Sequence, residues 1–232
     1  MPTPREPTIW RYMEFAKFAD FVLRRSLFFT RSDLLGDPFE GAVPARVALR
    51  RYGELLDRVA DTHTAAITGA IVGRMIRESY YVSCWYQSDH ESELMWHRHA
   101  PSMFGVAIKS NVPALENAPS DSQPEVSVIP IEYIDYQTFD IEPNGMYFPY
   151  RYKRNEFKDE REVRAILMEE TVPALGGGII LRPNGRHVMI DPASLVEEVR
   201  VCPLSPEWFV DLVKRFCESQ SLGIHVLQSS LI

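Results

Sequence analysis

The chain has 232 residues, 45% hydrophobic and 25% charged, with a formal net charge of −7. That length supports one sizeable core and is short for two full domains, and the composition excludes a disordered chain. The acidic balance provides no global basic field toward nucleic acid or an anionic membrane.

Residues 1–7, polar and Pro-rich, are read as a flexible N-terminus with no apolar signal core. No apolar run along the chain is long enough to span a bilayer, so a cytoplasmic protein is expected. Thr8 to Met13 reads as a strand, Phe15 to Arg25 as a helix and Ser26 to Thr30 as a second strand. Gly36-Asp37-Pro38-Phe39-Glu40-Gly41 is a loop, because Gly and Pro punctuate it. Two helices are predicted between Val47 and Glu78, broken near Asp61 to Thr64. Tyr80 to Tyr86, aromatic and β-branched, reads as a strand. A helix is expected to start near Ser88-Asp89 and to end before Pro101, followed by a strand over Phe104 to Lys109.

Asn111 to Pro124 reads as a polar loop, Glu125 to Tyr136 as one or two strands and Asp140 to Pro149 as a loop. Glu162 to Met168 is a strong strand. Gly176-Gly177-Gly178 turns the chain before the apolar Ile179-Ile180-Leu181. Leu195 to Val201 reads as a strand, Ser205 to Gln220 as a helix capped by Ser205 with Pro206 first, and Gly223 to Leu227 as a last strand. This irregular alternation predicts a single α+β domain over residues 1–232, a mixed, mostly antiparallel sheet with packed helices.

The densest chemistry lies at Asp159-Glu160-Arg161-Glu162-Val163-Arg164. On a strand, Glu160, Glu162 and Arg164 share one face and Arg161, Val163 and Ala165 the other. Such a face is either an exposed, self-neutralising edge or a carboxylate held by Arg164 and aimed into a cleft. On Tyr81-Val82-Ser83-Cys84-Trp85, Ser83 and Trp85 share a face. Cys84 reads as a core thiol, or as a nucleophile if His90, His97 or His99 reaches it. Met95 and Trp96 read as core anchors before ligand platforms. Asp37 and Glu40 either bind a cation or shape a tight Asx-type turn. The arginine-rich clusters Arg50/Arg51, Arg74/Arg77 and Arg151/Lys153/Arg154 read as solvated surface, or as a local basic groove. Cys84, Cys202 and Cys217 are far apart, and no Cys/His pair has zinc spacing, so no metal centre is predicted.

Trp10-Arg11-Tyr12, the Gly36–Gly41 loop, Ser83-Cys84-Trp85, Met95-Trp96, Gly105, and Phe157 with Glu160, Glu162 and Arg164 together resemble the bacterial and phage family called domain of unknown function 2971. His97-Arg98-His99 departs from the hydroxyl and aromatic expected after the Met-Trp pair. A more distant similarity is to ADP-ribosyltransferases, which use a first-strand Arg, a second-strand Ser and a late-strand Glu-x-Glu. The resemblance implies NAD as substrate, with Arg11 on a phosphate or ribose and Ser83 lining a nicotinamide pocket. It makes Glu162, with Glu160, the catalytic carboxylate, and lets Trp85 or Tyr12 stack on a ring. It implies an NAD-using transferase or glycohydrolase, of the kind found in toxin or phage-defence biology, and requires Arg11, Ser83 and Glu162 to converge on one cleft. The alternative is a non-catalytic nucleotide- or protein-binding module, with Trp85, Trp96 and the charged strand as its pocket. A third reading makes Asp37, Glu40, Glu160 and Glu162 ligands of Mg²⁺ in nucleic-acid processing, against which the acidic net charge counts.

Overall fold

A computed structural model describes residues 6–37, 39–42, 46–47, 74–75, 77–119, 125–140, 147–169 and 182–231. Most of the helices expected over 47–78 lie outside that set, as do residues 1–5 of the N-terminus and the turn and apolar run at 176–181. The elements are β1 (Thr8–Glu14), α1 (Phe15–Arg24), β2 (Ser26–Arg31), β3 (Tyr80–Gln87), α2 (Glu93–His99) and β4 (Gly105–Asn111). There follow α3 (Val112–Asn117), β5 (Val126–Pro130), β6 (Glu132–Ile134), β7 (Tyr152–Arg154) and β8 (Glu162–Met168). The chain closes with β9 (Gly185–Met189), α4 (Pro192–Leu195), β10 (Glu198–Val201), α5 (Glu207–Ser219) and β11 (His225–Gln228).

Among the described residues, nine strands form one sheet in the order β11-β10-β4-β1-β3-β2-β9, with β8 added on β3 and β5 on β8. Its pairings are antiparallel except β10 with β11, and β6 and β7 form a separate parallel pair. This is the mixed, mostly antiparallel α+β architecture expected from the alternation of elements. The central strands are apolar on both faces because both are covered. On the first face, Ile9, Met13, Tyr81, Trp85 and Val163 pack under α1 and α5. On the second, Trp10, Tyr12 and Tyr86 meet Met95 and Trp96 of α2, and Tyr80, Val82 and Ile166 lie under Tyr150. No helix among the described residues is long and apolar enough to cross a membrane.

Several boundaries differ from the expectation, each for a local hydrogen-bonding reason. Helix α2 starts at Glu93, not near Ser88-Asp89: Ser92 is its cap, accepting from Met95 N at 3.4 Å, while Ser88 Oγ is taken by His90 N at 3.1 Å. A short helix, α3, replaces the front of the loop expected after Asn111, because Asn111 caps Ala114 N at 2.7 Å and Pro113 sits in the first turn. Leu195 ends α4 rather than opening a strand. Ser205 does not cap α5; its hydroxyl donates to Met103 O at 2.5 Å and Pro206 holds the cap position.

One feature of the sheet positions the site. Along one edge β3 pairs with β8 from Tyr80↔Met168 to Tyr86↔Glu162. Its other edge is shared: β1 pairs at Ile9↔Gln87 and Trp10↔Tyr86, and β2 at Thr30↔Val82 and Arg31↔Tyr81. Ser83, Cys84 and Trp85 therefore face a gap where β1 and β2 diverge, spanned in sequence by α1.

Candidate functional site

A cleft of about 750 Å³ opens at this gap, within the range of small-molecule sites. Arg11, Tyr12 and Trp85 line it with Asp37, Glu40, Glu160 and Glu162. Ser83, Trp96 and Arg164 do not.

Cross-strand neighbours point the same way, so register assigns each side chain a face. Arg164 is opposite Cys84 and Glu162 opposite Tyr86, on the second face; Ser83 is opposite Ala165, on the first. Arg11 alternates with Trp10 and Tyr12 and lies on the Ser83 side. Its Nη1 donates to Ser83 Oγ at 2.6 Å and its Nη2 to Phe28 O at 3.2 Å, so the guanidinium bridges β1 to β2 where their ladder is missing. Trp85 Nε1 donates to the same Ser83 hydroxyl at 3.2 Å. Ser83, 1% exposed, is thus spent on holding Arg11 and does not line a ligand pocket. Arg11 itself has no carboxylate partner among the described residues. Burial lowers its pKa from 12.5 to about 10, a desolvation cost that a bound anion would relieve.

The second group is a buried ion network. Asp159 to Arg164 is not one strand: residues Asn155–Glu160 form a 3₁₀ turn, Arg161 turns left-handed at φ 39°, and β8 begins at Glu162. Strand parity therefore does not place Glu160, yet the turn delivers it to the same spot. Lys153 Nζ lies 2.5 Å from Glu160 Oε2, 3.0 Å from Glu162 Oε2 and 3.2 Å from Glu40 Oε1. Arg164 donates from Nε to Glu162 Oε1 at 2.9 Å, from Nη2 to Glu162 Oε2 at 3.0 Å and Glu40 Oε1 at 2.8 Å, and from Nη1 to Tyr150 O at 3.2 Å. Arg98 Nη1 meets Glu160 Oε1 at 2.7 Å. Three carboxylates thus meet three cations. Gly41 lets the chain bring Glu40 in: its φ is 69°, and a Cβ there would lie 2.7 Å from the Tyr150 ring.

Asp37 shapes the preceding turn, accepting from Phe39 N at 3.0 Å, and Arg154 grips its two oxygens at 3.0 and 3.1 Å. Each carboxylate of the Mg²⁺ reading is therefore already neutralised by Lys or Arg. No group of three or more His, Cys, Asp or Glu among the described residues is set to hold a metal ion.

Burial works to raise the Glu162 pKa, but Arg164 first and then Lys153 outweigh it and hold the carboxyl near 2, down from 4.5. A depressed folded-state pKa contributes stability above the unfolded value and loses it as pH falls. Acid titration of urea unfolding is expected to show about 3 kcal/mol lost between pH 5 and 2 from this group, and Glu162→Gln should remove that slope. Burial, reinforced by Glu162, pushes the Cys84 thiol well above its ordinary value, and burial with Arg98 lowers His99. Cys84 is therefore a thiol at neutral pH and lacks the thiolate a nucleophile needs.

Tyr12 and Trp96 form a third group, edge to face at 5.0 Å. Tyr12 Oη accepts from Ser92 N at 2.9 Å and Trp96 Nε1 donates to Glu91 Oε2 at 3.1 Å. Trp96 is a core anchor; Tyr12 also borders the cleft.

Lys153 is the residue the sequence did not reveal. It belongs to a basic run read as solvated surface, yet it is 8% exposed and its ammonium also lies 5.0 Å from the Phe157 ring centre. Nothing in Arg151-Tyr152-Lys153-Arg154 signals that one cation turns inward; only the pairing of β7 with β6 does. No family model, curated protein or solved structure matches this chain.

Proposed function

We propose that the cleft binds NAD or a closely related nucleotide and that the protein is an NAD-using transferase or glycohydrolase of the ADP-ribosyltransferase type. One observation carries the reading: two of the three groups it calls for, a half-buried Arg11 with no carboxylate partner among the described residues and a Glu162 carboxylate held ionised, line the same cleft, while Ser83 stays behind Arg11. Arg11 suits a phosphate. Glu162, unable to take up a proton near neutral pH, suits the fixed anion beside ribose C1′ as the bond to nicotinamide breaks. The bonding pair leaves with the ring nitrogen, and positive charge develops on the ribose, where a preorganised anion stabilises it. Arg164 and Lys153 orient that anion, and Ser83 orients Arg11.

The test is release of nicotinamide from NAD. Wild type is expected to release it, and Glu162→Gln to slow the release by about 10²-fold or more, with NAD binding followed by calorimetry. The binding-module reading has its own support, since both Glu162 oxygens are already engaged by Arg164 and Lys153. NAD binding without nicotinamide release from wild type would favour it.

A further inference from the structure

We propose that the outer face of α5 is the interface through which two copies of this chain pair about a two-fold axis. The helix buries Phe209, Val210, Val213 and Cys217 against the rest of the protein, so its outward positions should be polar. Glu207, Asp211, Lys214 and Arg215 obey that rule. Trp208 and Leu212, four residues apart and on one face, break it: both are exposed. This face is distinct from the network around Glu162, and the inference does not rest on the nucleotide reading above.

Trp208 and Leu212 belong to a larger patch. The Phe104 ring lies 5.6 Å from that of Trp208. Ser205 Oγ donates to Met103 O at 2.5 Å, which brings Leu204 beside Met103 at the head of the helix. These five side chains, Met103, Phe104, Leu204, Trp208 and Leu212, are between 39 and 70% exposed. At about 200 Å² for a large side chain they leave about 500 Å² of apolar surface in water, the upper end for a monomer. A pairwise interface buries about 800 Å² on each side, roughly three-fifths of it apolar, so the patch matches one half of a dimer interface. Between Phe15, Phe104, Trp208 and Leu212 it sinks into a groove of about 300 Å³, room for one aromatic side chain.

Charge identifies what covers the patch. Glu207 and Lys214 lie two turns apart on one flank of the helix, and neither has an ion-pair partner among the described residues. Asp211 and Arg215 pair with each other at 2.6 Å. From Glu207 to Arg215 the exposed surface therefore runs from acidic to basic. Laid antiparallel on itself, such a helix brings each acidic end to a basic end; laid parallel, it sets like charges together. A two-fold axis between Val210 and Asp211 places Glu207 of each copy opposite Lys214 of the other, the reciprocal contact that an isologous interface requires. The same axis carries Trp208 of each copy over Leu212 of the other and onto its groove. Glu218 falls opposite Pro203, outside the overlap of the two helices. The occupant this face fits is a second copy of the chain.

The experiment is sedimentation equilibrium of the full chain, wild type and variants, with thermal melts as the folding check. Wild type is expected to be dimeric at tens of micromolar, since interfaces of this area hold at micromolar concentration or tighter. Trp208→Asp should raise Kd by about 30-fold or more, the loss of a central aromatic anchor. Its side chain is exposed, so the variant should melt like the wild type. Glu207→Lys and Lys214→Glu should each raise Kd by about tenfold at low salt, and the two reversals combined should restore it. A wild type that stays monomeric overturns the proposal. So does a Trp208→Asp variant that dimerises as tightly as wild type, which would place the interface elsewhere. A double reversal no tighter than either single one overturns the antiparallel two-fold pairing.

Discussion

Replacing Arg164 with methionine is expected to cost about 3–5 kcal/mol of folding stability, the cost of breaking a buried ion pair from one side. Arg164 is 0% exposed and its fork serves Glu162, Glu40 and the Tyr150 carbonyl together. Methionine fills much of the volume but leaves Glu40, Glu160 and Glu162 with Lys153 and Arg98 as their cations among the described residues, and the Tyr150 carbonyl without its donor. For a chain of this size the loss corresponds to a fall of roughly 10 °C in Tm. Urea unfolding should show a lower midpoint at unchanged slope. Arg164→Lys should recover only part, because a point ammonium cannot reproduce the two-pronged grip on Glu162. If Arg164→Met unfolds at the wild-type midpoint, the network is not the keystone of the second face.

Lys153→Met should also cost about 3 kcal/mol at pH 7, but with an opposite pH signature. In the wild type, burial works against the Lys153 charge, while Glu162 and Glu40 more than compensate and raise its pKa. The ammonium therefore stays charged wherever the protein is folded. Without it, Glu40, Glu160 and Glu162 share only Arg164 and Arg98, and mutual repulsion pushes at least one carboxyl above its unfolded value. A group with a raised folded pKa gains stability as pH falls through that value. Lys153→Met should thus become more stable from pH 7 to pH 5, where the depressed Glu162 leaves the wild type nearly flat. Urea midpoints at the two pH values decide the matter: a variant with the wild-type slope would show that Lys153 carries no charge-balancing role.

The charged segment 159–164 and the aromatic strand over Tyr80–Tyr86 are both legible in the sequence, and the strand that opens at the end of the first, β8, is the neighbour of β3. Their adjacency was not legible, since strand partners separated by some 80 positions leave no local pattern. Period-two alternation correctly put Glu162 and Arg164 on one face. It gives no valid reason for Glu160, which reaches the same cluster from the turn before β8: a left-handed residue at Arg161 interrupts the strand, and a positive φ at a non-glycine is invisible to alternation. Helix caps were misread where one polar side chain had a competing partner, as at Ser88 and Ser205. Competition of that kind is settled by neighbours distant in sequence.

The sequence alone determined the fold class and the candidate residues Arg11, Glu40, Glu160, Glu162 and Arg164. Those follow from local side-chain chemistry and short-range periodicity, which act within a few residues. Only the tertiary structure decided that β1 and β2 part over Ser83 to open a cleft, that Arg11 spans the gap, and that Lys153 turns inward among three carboxylates. Each depends on strand register and on desolvation, which belong to the assembled sheet and to no single segment of the chain.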